Sequence, residues 1–178
     1  MILPTIRDPR FITIRRGGVL TDADHHLLAL WAAECAEHVV DLFEDARPGD
    51  GRPDRAIEAA RLWADGGMSV GESKRFAGAS QAAARELTGV SESARMAALS
   101  AGQAAVVAHV AAHELGAAAY AIRAVMESVP QPEREAVRIA ERDWQRSRLP
   151  TPIRALVLDD QRLRNDICWF VFGETGVR

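Results

Sequence analysis

The stretch Met96–Ile122, MAALSAGQAAVVAHVAAHELGAAAYAI, carries a single formally charged residue, Glu114, in a chain where 26% of residues are charged. A helix without a polar stripe cannot lie on a surface, so the other elements have to wrap this one. Alanine and glycine fill most of it, and His109, His113 and Tyr120 are its larger polar groups. A continuous helix from the cap at Ser91 to Ser128 would far exceed the usual length in a globular domain. The spacing therefore predicts a break near Val110–His113 and two antiparallel helices packed through their alanine faces.

The rest of the composition agrees with a helical body. Alanine occurs 32 times, and β-branched or aromatic residues do not alternate over more than a few positions. Both point to an all-α fold. At 178 residues the chain is long enough for one domain with a full core. Of its 22 basic residues all but Lys74 are arginine, which together with the alanine content reads as codon bias. A net charge of −3 lacks the basic surplus of a dedicated nucleic-acid binder. Cys35 and Cys168 have no paired-motif spacing and read as buried, reduced thiols of a cytoplasmic protein. Residues 1–16 contain no apolar run of signal-peptide character.

In chain order, residues 1–20 read as an extended N-terminal arm. Phe11–Ile14 favour a short strand or a segment laid on the helical body, ended by Gly17-Gly18. Such an arm could also reach a second copy and make a homo-oligomer. Residues 21–178 read as a single all-helical domain, a compact bundle of about seven helices or a stack of helical hairpins. Thr21 caps a first helix to about Asp45, with Leu28, Trp31, Cys35, Val39 and Leu42 on its apolar stripe. Pro53 opens a second helix, which ends at Gly66-Gly67. Ser69 and Glu72 form a capping box for a third, which runs to Thr88-Gly89. Beyond the central pair, Pro130 and Pro132 precede a helix from Glu133 to Arg148 with Ala136, Val137, Ala140 and Trp144 on its apolar stripe. Thr151 as cap and Pro152 in the first turn start a last helix to about Trp169, burying Ile153, Leu156, Val157, Asp160 or its neighbours, Leu163 and Ile167. Phe170-Val171-Phe172 then packs back onto the body.

Four kinds of site can be weighed from the residues. Met96–His113 is uncharged over the minimum length of a membrane span, yet its Ala, Gly, Ser, Gln and His content and missing aromatic belt favour a core helix. His109 and His113 stand at i and i+4, the spacing of a metal pair on one helix face, with His25, His26, Cys35 or His38 as further candidate ligands. Val110 occupies the place of the general-base glutamate in H-E-x-x-H, so a hydrolytic metal centre is not the expectation. Cys35 with His38 lacks a turn that would present a nucleophile or a nest for an oxyanion, and Gly66-Gly67-Met68-Ser69 lacks a phosphate-loop lysine. The last helix carries Asp159, Asp160, Arg162, Arg164 and Asp166, which read as a solvated face. The remaining candidate is a polar groove for a partner protein, drawn from Arg52, Asp54, Arg55, Glu58 and Arg61 together with His109, His113 and Tyr120.

Four segments taken in order resemble a bacterial family, the immunity-protein-5-like domain: RDPRFITIRRGGVLTDADHHLLALWAAECAEHVVDLFE, RPDRAIEAARLWADG, VVAHVAAHELGAAAYAIRAV and LVLDDQRLRNDICW. The matching pattern comprises Asp54, Arg55, Ala56, Ile57 and Glu58 with Trp63, and His109 and His113 with Gly116 and Tyr120. Ala111-Ala112 stands where the family pattern has a proline-containing turn. The resemblance implies an immunity protein of a polymorphic toxin system, a non-enzyme without cofactor that binds and neutralises a cognate toxin in the cytoplasm. Two other readings stay open: a helical metal-binding protein or enzyme using His109 and His113, and a self-associating scaffold module.

Overall fold

The computed structural model describes residues 3–174. Among them, eight helices and no strand make a compact all-α bundle. They are α1 (Asp22–Glu37), α2 (Asp41–Ala46), α3 (Arg52–Ala64), α4 (Val70–Glu86), α5 (Glu92–Val106), α6 (Glu114–Glu127), α7 (Arg134–Ser147) and α8 (Thr151–Leu163). The caps expected at Thr21, Ser69 and Ser91 are present, whereas Thr151 is not a cap: it is the first residue of α8, which Pro150 precedes without a side-chain bond. The Thr21 hydroxyl accepts from the Asp24 N–H at 3.0 Å, and Ser69 and Glu72 form a reciprocal capping box.

The uncharged stretch is the centre of the bundle. α5 contacts α1, α2, α3, α4 and α6, and most of its buried residues are alanines. Small residues let the backbones come close enough for buried serines to bond across helices. The hydroxyls of Ser73, Ser80 and Ser100 donate to the carbonyls of Ala105, Ala98 and Ala117 at 2.7, 2.7 and 2.8 Å. Gly102 marks a close approach of α5 to α4, since a Cβ there would lie 3.2 Å from the Ala77 carbonyl oxygen. The expected break is present: α5 ends at Val106, a turn at Ala111–His113 reverses the chain, and α6 runs back antiparallel. The pairs Gln103–His113 and Ser100–Ala117 set that register.

Several local expectations differ from the structure. The first predicted helix divides at His38–Val40, making eight helices instead of about seven. At the break, His38 stacks on Trp144 with ring centroids 3.6 Å apart and donates from Nδ1 to Glu141 at 2.8 Å. The turn redirects α2, so Phe43 and Val39 are buried in a second apolar cluster with Leu87 and Met96, and Leu42 packs against it half-buried.

On α7 the expected apolar stripe is not the buried one. Ala136 and Ala140 are exposed, whereas Arg138, Glu141, Arg142 and Gln145 are buried. The reason lies in the C-terminal segment, which leaves the helix after Leu163 rather than after Trp169. Trp169 and Phe170 take left-handed φ values of 55° and 59°, so the carbonyls that follow have no helical partner. Arginines of α7 satisfy them: Arg138 donates to Val171 O and Gly173 O at 2.7 and 2.9 Å, and Arg146 to Phe172 O at 2.9 Å. Val171 and Phe172 are buried as expected, but Leu163 is 51% exposed.

The described residues before α1 form no strand. Two 3-10 turns, Pro9–Phe11 and Ile14–Arg16, fold the segment, Phe11 is buried, and Arg10 pairs with Asp159 of α8 at 2.8 Å.

Candidate functional site

Two concavities lie along the helices that carry the charged residues of the sequence. The larger, of about 1200 Å³, sits between residues 3–16, the start of α1, the end of α3, the 107–113 link and the end of α8. Its aromatic wall follows from helix spacing. His25 and His26 on the first turns of α1 both meet Trp63 edge-on, with centroids 4.7 and 5.0 Å apart. His25 also donates from Nε2 to the Val107 carbonyl at 2.8 Å, and burial pushes its pKa down. His109 reaches the same cavity from the link. Burial, and then the charges of Lys74, Arg16 and Arg7, hold its imidazole below its usual range. Arg7 and Arg16 line this cavity and make no ion pair among the described residues.

The floor of the cavity meets a buried charge network. Glu114, the lone charge of the central stretch, is 0% exposed. Arg164 donates to Glu114 at 3.2 Å, to Asp160 Oδ1 at 2.8 Å and to the Ala112 carbonyl at 2.9 Å. Burial pushes the Glu114 carboxyl well above the usual range. Arg164 opposes that rise, while Asp160 adds to it. Asp160 and Arg164 are therefore core residues rather than part of a solvated face. In sequence, the signal for this network was the single acid inside an uncharged helix.

The smaller recess, of about 340 Å³, lies between the end of α1, α2 and α3 and is lined by Asp54, Glu58 and Arg61 together with Glu37, Asp41 and Glu44. Arg61 pairs with Glu37 at 2.6 Å, leaving the other four carboxylates with no ion pair among the described residues. The charge of Asp54, then slight desolvation at this exposed site, and the charge of Asp41 raise the Glu44 pKa. That is the mark of an uncompensated negative field.

The eight sequence-derived site residues thus fall into separate places. Asp54, Glu58 and Arg61 share the recess. Arg55 is exposed on α3, and Arg52 is held by Asp50 and Glu86 at 2.6 and 2.8 Å. His109 lines the large cavity, which His113 and Tyr120 do not. His109 and His113 flank the helix break, so they do not share one helical face. His113 Nδ1 lies 2.7 Å from Gln103 Oε1, and Tyr120 packs on Trp169 with centroids 5.2 Å apart. Among the described residues no group of three or more His, Cys, Asp or Glu is arranged to hold a metal ion. Both cysteines are buried free thiols; burial raises the pKa of Cys35 and pushes that of Cys168 up to about 12. Thiols so placed are poor nucleophiles.

His113 gives a pH test of this geometry. Burial, and then the Arg164 charge, lower its pKa from 6.5 to about 4. Between those two pH values the unfolded chain takes up a proton that the folded chain refuses. Stability therefore falls as pH drops through that window, by about 2–3 kcal/mol. His113→Asn, which keeps a donor for Gln103, should flatten the fall when chemical denaturation is compared at pH 7 and pH 4.5.

No helix among the described residues is long and apolar enough to cross a membrane. The sequence pattern of one protein family, described as "Imm-5 like putative immunity protein", matches residues 18–152 of the 178. No curated protein and no solved structure matches the chain.

Proposed function

We propose that this chain, which belongs to the Imm-5 like putative immunity protein family, binds a bacterial toxin and neutralises it by occupying its surface without turning over a substrate. The observation that carries this reading is the extent of the family match. It runs from before α1 to the start of α8 and so covers the body of the bundle rather than one motif. The fate of the reactive side chains supports it. Both thiols are sealed in the core, the ring of His113 is held by Gln103, and the most perturbed carboxyl is tied to Arg164 inside the fold. These groups hold the bundle together. The polar groups left facing outward on α3, Asp54, Arg55, Glu58 and Arg61, belong to the contact surface in this reading, with His109 at its far end. Neutralisation takes place in the cytoplasm of the cell that makes the toxin, before export.

Co-expression provides the test. A candidate toxin domain, taken from a gene flanking this one, is placed under an inducible promoter in a sensitive host. Survival should return when this chain is made with it, and not when an unrelated helical protein is made at the same level. Undiminished killing at matched expression would contradict the proposal.

A further inference from the structure

The two concavities are the two ends of one seam. α1 and α2 run antiparallel to α3. His26 stands against Trp63 at 5.0 Å, Glu37 against Arg61 at 2.6 Å, and Asp41 and Glu44 across the recess from Glu58 and Asp54. One end carries the cavity with the unpaired cations Arg7 and Arg16 on its wall and Lys74 close to His109. The other end carries the unpaired carboxylates Asp41, Glu44, Asp54 and Glu58. Between them stand two leucines that the core does not need, Leu30 and Leu62, each 37% exposed. Leu30 lies four residues after His26 and seven before Glu37, and Leu62 lies four after Glu58. Helical spacing therefore turns both toward the seam.

A uniformly charged polymer does not fit this arrangement. The phosphates of a nucleic acid or an anionic membrane attracted to Arg7 and Arg16 would meet four carboxylates further along. At physiological salt the screening length is about 8 Å, whereas α1 alone, at 1.5 Å per residue, is about 24 Å long. The two ends therefore act as separate fields, each demanding its own opposite charge. A folded protein surface can carry both signs at a fixed separation. An apolar centre with charged margins is also the usual build of a protein interface.

We infer that the α1–α2/α3 seam is the toxin-contact surface, and that it takes a protein face with an apolar anchor over Leu30 and Leu62, basic side chains toward the α2 recess and acidic side chains toward the large cavity. This rests on the toxin-binding reading and adds the site and the chemistry of the partner.

The probe is the purified candidate toxin domain used in the co-expression test, with binding measured by surface plasmon resonance. Three variants sample the seam: Leu30→Asp with Leu62→Asp, Asp54→Lys with Glu58→Lys, and Arg7→Glu with Arg16→Glu. Val90→Asp, at a residue 72% exposed in the turn before α5, is the control for adding charge to an exposed apolar site. All these positions have exposed or half-buried side chains, and circular dichroism and a denaturation midpoint verify that each variant folds. The leucine pair should weaken binding 100-fold or more. Each charge-reversed pair should slow association at least 10-fold at low salt, with the difference shrinking at 0.5 M salt, and Val90→Asp should bind as the parent does. Parent-like binding by the three seam variants would overturn the seam while leaving the toxin-binding reading intact, and loss at one charged end alone would overturn the two-signed partner. A parent dimer that the leucine pair converts to monomer would make the seam a self-association face and also overturn the inference. If the parent itself neither binds nor rescues, the functional reading fails, and the seam assignment with it.

Discussion

Replacing Arg164 by methionine is expected to lower the unfolding free energy by about 3–5 kcal/mol, the typical cost of breaking a buried ion pair from one side. Arg164 is 5% exposed and is the cation of a network whose other members, Glu114 and Asp160, are 0% and 2% exposed. Methionine keeps most of the volume and removes every donor. The Asp160 carboxyl then loses its counter-ion, and the Ala112 carbonyl loses the bond that ties the 107–113 reversal to α8. For a chain of this size each kcal/mol moves the melting temperature by about 2–4 °C, so the transition should fall by roughly 6–20 °C. A second substitution identifies the cause. Adding Glu114→Gln to Arg164→Met takes one ionisable group out of the unpaired set, so the double variant should be less destabilised than the sum of the two single variants. Strict additivity, or a loss under about 1 kcal/mol for Arg164→Met, would show that the network is not carrying buried charge.

Trp31→Ala should have an effect of the same size through a different mechanism. Trp31 is 1% exposed on the face of α1 that meets the core, and its indole N–H donates to the Gln145 carbonyl of α7 at 2.9 Å. Truncation removes the largest apolar side chain of that face and opens a cavity that surrounding alanines are too short to fill. The expected cost is about 3–5 kcal/mol. Trp31→Phe keeps most of the apolar contact and loses the donor, and should cost about 1–2 kcal/mol. Guanidinium denaturation of the three proteins distinguishes packing from the hydrogen bond. Equal losses for Ala and Phe would mean that the bond, not the volume, holds α7 against α1.

The parts of the fold that were legible in sequence are those where one local rule is enough. A stretch without charge has to be central, and one too long for a single helix has to break. The caps at Thr21 and Ser69 are local chemistry and stand where expected. The misread parts depend on distant partners. Arg138 and Arg142 look like surface residues by any periodicity argument, and their burial follows from carbonyls of a tail about thirty residues further on. The division of the first predicted helix at His38 likewise depends on Glu141 and Trp144, a hundred residues away. The same limit applies to the site. Asp54, Glu58, Arg61 and His109 were visible as polar groups in a helical context. Leu30 and Leu62 were not, because an isolated exposed leucine has no sequence signature until its helix face is known. Arg7 and Arg16 lay in a segment with no helical period to assign them a side.

Stoichiometric titration tests the central claim most directly. A fixed concentration of the purified toxin domain, well above the dissociation constant, is mixed with increasing amounts of this chain, and the remaining toxin activity is measured after equilibration. Neutralisation by surface occupation predicts a linear fall to zero at a fixed stoichiometric ratio, unchanged by longer incubation. Continued loss of activity below that ratio, growing with time, would mean turnover by this chain, and full activity at a large excess would mean that it does not neutralise the toxin.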